Sequence, residues 1–142
     1  MHIYLAGPLF TLAERDSNKS LKDELVKLGH TVYLPQEHET RDLTAKQIFD
    51  GDVEGIDTSE VVVANMDGPD PDSGTCWECG YAYGRGIPCI IFRTDFRVAD
   101  EAIEKAPFNL MLTESSTQIP IIVPFEDIET VARTISIRLG LL

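Results

Sequence analysis

The 142-residue chain has little positive charge, few cysteines and no long apolar run. Twelve Lys and Arg stand against twenty-four Asp and Glu, a net charge of −12. Between Glu37 and Asp72 there are eleven acids and two bases, so that stretch carries −9. With no basic stripe to neutralise phosphates, nucleic-acid binding is excluded, and most of the carboxylates read as a solvated surface. No run approaches the roughly 20 apolar residues of a membrane span, and Met1-His2-Ile3-Tyr4 has no secretory pattern. The expected address is the cytoplasm, with no membrane partner.

Three cysteines cannot pair evenly, which argues against a disulfide framework. Cys76 and Cys79 form a C-x-x-C. A redox pair needs an electropositive setting, which Glu78 between them opposes. Zinc needs a fourth ligand beside Cys76, Cys79 and Cys89, and the histidines are remote in sequence. Small buried thiols are the expected role. The P-loop, dinucleotide, G-x-S-x-G and H-E-x-x-H motifs are also missing; Gly84-Arg85-Gly86 follows a helix and not a strand.

What is present reads as one domain over residues 1–142, long enough to bury roughly 70% of its unfolded surface. Apolar residues make up 43% and charged residues 25%, a globular balance. Ile3–Ala6, Thr31–Leu34, Val61–Ala64, Ile87–Phe92 and Ile119–Val123 read as strands, the last an edge because of Pro120. Helices are expected between them: Leu21, Leu25 and Leu28 share one face, with Gly29 as the stop. Ala45, Phe49, Val53 and Ile56 mark a second helix, Ser73–Arg85 a third, and Glu126–Leu139 the last. Strands alternating with helices imply a doubly wound α/β fold with a parallel sheet. Ligands then bind beyond the strands' carboxyl ends, which points to Gly7–Thr11, Asn65–Ser73 and Arg93–Arg97. About 26 residues with at most one short helix separate strands four and five, a length usually functional or interfacial.

The most informative segment is Asp72-Ser73-Gly74-Thr75-Cys76-Trp77-Glu78-Cys79-Gly80-Tyr81. Asp72 or Ser73 can cap the helix, and Gly74 permits a tight turn. Glu78 falls about one turn in, where the helix N-terminus favours its charged form. An ionised carboxylate in a mostly apolar cleft suits nucleophilic attack at a sugar carbon. The plainer reading is a carboxylate that complements the helix dipole. Asp52 lies within about 60° of Ile48, Phe49 and Ile56 around its helix, where a partly desolvated carboxyl can pass a proton. It could equally face solvent. Tyr4 could orient a carboxylate at the sheet's end or simply fill the core.

Four blocks, in order, carry a resemblance: Ile3-Tyr4-Leu5-Ala6-Gly7-Pro8-Leu9-Phe10, Asp52-x-x-Gly55-Ile56 with Val61–Ala64, Asp72-x-Gly74-x-x-x-Glu78-x-Gly80-Tyr81-Ala82, and Asn109-Leu110-Met111. Together they resemble the nucleoside 2-deoxyribosyltransferase family. The resemblance implies a flavodoxin-like, Rossmann-like sheet of five parallel strands, with no metal or organic cofactor. It implies Glu78 as nucleophile, Asp52 as proton shuttle to the base, and Asp72 as ligand of sugar hydroxyls. Tyr4 would orient Glu78, Phe10 would pack near the base, and Gly7 and Gly74 would shape the substrate site. Asn109 and Met111 would complete a neighbouring subunit's site, which implies a homo-oligomer. The partners would be a small-molecule nucleoside and a free purine or pyrimidine base. Pro35–Arg41 departs from the family pattern; Gln36 or Glu39 could meet the base there. Gly140-Leu141-Leu142 offers no recognisable site residue.

Two alternatives remain open at this level. One is an N-glycosidase acting on nucleoside 5′-monophosphates. Against it, relatives that bind phosphate carry a hydroxyl residue where Asp72 stands, and Ala6–Phe10 lacks an Arg or Ser; Ser73 and Arg97 could take a phosphate. The other is a non-catalytic nucleoside- or nucleotide-binding domain.

Overall fold

The computed structural model describes residues 1–40, 42–95 and 108–142; Arg41 and Arg97, singled out above, lie outside them. Five strands form one parallel sheet: β1 (His2–Ala6), β2 (Thr31–Tyr33), β3 (Val61–Asn65), β4 (Cys89–Arg93) and β5 (Ile121–Ile122). Their order is β2-β1-β3-β4-β5, so the doubly wound single-domain α/β fold is as expected. The register sets Ile3 opposite Val32 and Val61, and Val62 opposite Cys89. β5 is an edge and is only two residues long, because Pro120 cannot donate to the ladder.

Among the described residues five α-helices join the strands: α1 (Leu12–Lys27), α2 (Ala45–Asp57), α3 (Ser73–Arg85), α4 (Leu110–Ser115) and α5 (Ile128–Leu139). Each N-terminus has a side-chain cap. Thr11 with Glu14 and Thr44 with Gln47 form reciprocal capping boxes, which satisfy otherwise orphaned N–H groups. Gly86 ends α3 in the left-handed region at φ 71°, which glycine tolerates without strain.

Alternation along the strands divides the core into two layers. On one face Ile3, Leu5, Val61, Val63, Ile90 and Phe92 pack against Leu21 and Leu25 of α1 and Val131, Ile135 and Leu139 of α5. On the other, Tyr4, Ala6, Val62, Ala64, Cys89 and Ile91 meet Ile56 of α2 and Cys79 and Ala82 of α3.

Two helical faces differ from their periodicity. Leu28, expected on the buried face of α1, is 42% exposed because it is the C-cap and Gly29 turns the chain away. In α2 only Ile56 of the expected stripe is fully buried, while Ala45 and Phe49 are exposed. The helix instead approaches β2 through glycine. A Cβ on Gly55 would stand 2.8 Å from the Tyr33 ring, so only glycine fits that contact.

Candidate active site

The carboxyl ends of β1 and β3 meet α2 and α3 on the second face. Asp72 caps α3, its Oδ2 accepting from the Thr75 amide at 2.8 Å and the Thr75 hydroxyl at 3.1 Å. Gly74 follows because a Cβ there would crowd Asp72 Oδ2 at 3.1 Å. Gly7 is held similarly at the end of β1, where a Cβ would come within 3.2 Å of Asn65 on β3.

Glu78 lies one and a half turns into α3, and the Tyr4 hydroxyl donates to its Oε1 at 2.6 Å. Burial pushes the Glu78 carboxyl up to about 7. The Tyr4 hydrogen bond opposes that shift, and the charges of Asp52, Asp72 and Glu39 add to it. Burial thus works against the preference for the charged form expected from the helix N-terminus. The dipole's influence fades within the first turn, whereas desolvation acts on the whole carboxyl. Tyr4 itself is buried, and burial together with Glu78 holds its phenol protonated, hence a donor.

Asp52 is pushed up to about 6, chiefly by burial and then by Glu39, while the Tyr33 hydroxyl pulls the other way. Asp52 and Glu78 line one cavity of about 270 Å³ with Gly74, Phe49 and Trp77. Two carboxyls with raised proton affinities thus share a cleft. Such an arrangement can hold one proton between a nucleophile and an acid near neutrality.

Three rings support this pair from below. Tyr33 stacks on Tyr4 at 5.3 Å, and His38 stacks on Tyr33 at 4.2 Å. The Tyr33 hydroxyl donates to the Gly51 carbonyl at 3.1 Å, which fixes the turn of α2 that carries Asp52. Sequence reasoning missed this stack and the Phe49–Trp77 pair. Gly51 and Gly55, four apart on one helix, were the available signal for a ring lying against α2.

Other expected site residues are placed elsewhere. Phe10 is 75% exposed on the loop after β1, its amide held by Glu14 Oε2 at 2.9 Å, and it does not line the carboxyl cavity. Gln36 is engaged with α1: its Nε2 donates to the Arg15 carbonyl at 2.8 Å and its Oε1 accepts from Asn18 at 3.2 Å. Asn109 caps α4 by accepting from the Met111 amide. Asn109 and Met111 line a separate cavity of about 720 Å³ with Cys76, Gly80 and Tyr83. Those three α3 residues lie on a different flank from Glu78, so one chain does not bring Asn109 and Met111 to the carboxyls. A further hollow at the β1–β3 switch is lined by Pro8, Asn18, Asn65 and Asp67.

The loops after β3 and β4 are tied together. Arg93, buried, donates to the carbonyls of Met66 and Gly68, and Asp67 accepts from the amide and hydroxyl of Thr94. The cysteines are free thiols. Cys79 and Cys89 are buried, and contact with Cys89 plus burial drives the Cys79 thiol upward, opposite to what a reactive thiolate needs. Among the described residues no group of three or more His, Cys, Asp or Glu is placed to hold a metal. No helix among them is long and apolar enough to cross a membrane.

A carboxyl held by a tyrosine and a second raised carboxyl thus share one cleft beside a sheet of order 2-1-3-4-5. The model of the nucleoside 2-deoxyribosyltransferase family matches residues 3–111, and the chain belongs to that family. Among solved structures it is similar to a conserved protein from Enterococcus faecalis V583, with 29% identity and a TM-score of 0.77 over 97% of this chain and 98% of that one. It is also similar to the 2-deoxyribosyltransferase of Bacillus psychrosaccharolyticus, with 28% identity, a TM-score of 0.69, and 93% and 90% of the two chains covered. The CMP N-glycosidase BcmB of Clostridium botulinum shares the fold at 16% identity and a TM-score of 0.65, over 97% and 99% of the chains. The family and the Bacillus psychrosaccharolyticus neighbour place the chain among glycosyltransferase enzymes.

Proposed function

We propose that the protein transfers the 2-deoxyribosyl group of a 2′-deoxynucleoside from one base to another. The observation that carries this reading is the 2.6 Å hydrogen bond from Tyr4 to Glu78, at a cavity that Asp52 also lines. Tyr4 aims one oxygen of Glu78 and leaves the other for the sugar. The carboxylate attacks the anomeric carbon, the carbon–nitrogen bond breaks, and its electron pair stays on the base. Asp52 gives its proton to that base, so a neutral molecule leaves. A second base then attacks the glycosyl ester, Glu78 departs as carboxylate, and the entering base returns a proton to Asp52. Two displacements retain configuration at the sugar.

In this reading Asp72 receives the sugar hydroxyls through Oδ1, since Oδ2 is occupied by Thr75. Gly7 and Gly74 keep the backbone close to the sugar. Asn109 and Met111 act in the site of a neighbouring copy, which makes the working unit a homo-oligomer and gives the 720 Å³ cavity a place at the subunit contact. Phe10, exposed in one chain, becomes a base contact only when substrate or a second subunit covers it.

The test is a chromatographic time course with deoxyinosine, with and without adenine. Deoxyadenosine formed only when adenine is present supports exchange, and Glu78→Ala abolishes it. Hypoxanthine released at the same rate in both tubes, with no deoxyadenosine, overturns transfer in favour of hydrolysis. Asp52 and Glu78 line the cavity, and the charges of Glu39 and Asp72 reach them; this acidity disfavours a 5′-phosphate, so nucleosides are expected to react faster than their monophosphates.

A further inference from the structure

The carboxyl cavity has an aromatic wall that the proposed chemistry does not use. Phe49 from α2 and Trp77 from α3 line it, their ring centres 5.3 Å apart and tilted by 58°. Each is 47% exposed, a large apolar surface left in water at the mouth of a cleft. Trp77 is held in place from behind. Tyr81 stacks on it at 5.2 Å, and the Tyr81 hydroxyl donates to both oxygens of Asp57, at 3.1 and 3.2 Å. Arg85 Nε pairs with the same Asp57 at 2.9 Å, tying α3 to the end of α2. A ring fixed before binding loses little conformational entropy when a ligand covers it.

The wall's chemistry narrows its ligand. None of the five lining residues is basic, and two are carboxyl-bearing. Lys46 sits over the Phe49 ring at 5.9 Å but is paired with Asp50. An anion is therefore disfavoured, whereas a neutral planar heterocycle can stack on the indole and offer N–H donors to the carboxyls.

Resting on the exchange reading for the kind of ligand, we propose that Trp77, with Phe49 beside it, is the stacking platform for the nucleobase and selects purines over pyrimidines. Stacking grows with the ring area covered, and a two-ring base covers more of an indole than a one-ring base.

Trp77 is the chain's single tryptophan, so its emission reports this wall alone. Glu78→Ala protein, which binds without turning over, is excited at the red edge of the indole band and titrated with adenine or cytosine. The expected result is saturable quenching, reached at lower concentration with adenine. Phe49→Ala weakens adenine binding about tenfold. In otherwise unaltered enzyme, Trp77→Leu raises KM for acceptor adenine about tenfold with a much smaller change in kcat, and Trp77→Phe restores most of the loss. Quenching that does not saturate, equal affinity for both bases, or an unchanged KM in Trp77→Leu overturns the platform. So does emission that follows protein concentration and ignores adenine, which marks the wall as a contact between copies. Exchange activity without quenching removes the platform and spares the transferase reading. Saturable quenching by adenine in a protein that never exchanges bases does the reverse.

Discussion

The two faces of the sheet are built from different materials. The face under α1 and α5 is hydrocarbon throughout: Ile3, Leu5, Leu21, Leu25, Val63, Ile90, Phe92 and Ile135 interlock with no polar group among them. The face under α2 and α3 keeps Ile56, Val62, Met66 and Ile91 but adds Tyr4, Ala6, Ala64, Cys79, Ala82 and Cys89, side chains that are small, polarisable or polar-tipped. Large aliphatic residues on the first face supply stability, because burial and packing scale with apolar area. Small residues on the second let α2 and α3 come close to the strand ends and leave a cavity where Asp52 and Glu78 meet. One face holds the fold, and the other carries two desolvated carboxyls, a cost that the proposed chemistry accounts for.

The largest effect that sharpens this contrast is at Glu78. Replacing it with Gln is expected to lower turnover by about three orders of magnitude or more, measured under saturating donor. The same substitution is expected to raise stability. The folded carboxyl titrates at about 7 against an ordinary 4.5, so the folded state binds that proton more tightly than the unfolded chain. Its contribution is present at low pH and lost as pH rises through about 7. Denaturant unfolding should therefore show Glu78→Gln ahead by about 1–3 kcal/mol near neutrality and above, with the gap closing towards about pH 4.

The opposite face gives the mirror image. Leu25→Ala removes a fully buried side chain from the hydrocarbon layer and is expected to cost about 2–5 kcal/mol in chemical denaturation. The kcat of the protein that remains folded should be unchanged. A matched loss of kcat and stability would break the division between faces.

Tyr4→Phe should have an intermediate effect, lowering kcat about tenfold to a hundredfold by removing one hydrogen bond to a charged acceptor. The pH profile gives the finest distinction. In the proposed mechanism the productive form has Glu78 ionised and Asp52 protonated, a pair holding one proton. Activity should fall below about 6, where both carboxyls are protonated, and above about 7, where both are ionised. Asp52→Asn removes the alkaline fall. The acidic limb remains, since Glu78 must still lose its proton before it can act. A variant profile identical to the wild type's would exclude Asp52 as the proton carrier.

Much of this was legible in the residues themselves. The Ser73–Arg85 helix coincides with α3, because Asp72 caps one end and Gly86 closes the other. Tyr4, placed by strand alternation, donates to Glu78. Periodicity failed where a helix packs through glycine: α2 buries Gly55 against Tyr33, so Phe49 turns out to the cavity instead of into the core. It failed again for Glu78's charge, because burial is a property of the assembled fold and helix position is not. The Tyr4–Tyr33–His38 stack joins residues from β1, β2 and the turn after it, a juxtaposition that no local pattern encodes.

The claim that Glu78 becomes covalently bonded to the sugar is tested most directly by intact-protein mass spectrometry after rapid acid quench of enzyme mixed with deoxyinosine. The expected result is a mass increase of one 2-deoxyribosyl group, mapped to the α3 peptide that carries Glu78, lost on adding adenine and never formed in Glu78→Ala. An adduct on another residue, or exchange proceeding at full rate in Glu78→Ala, would contradict it.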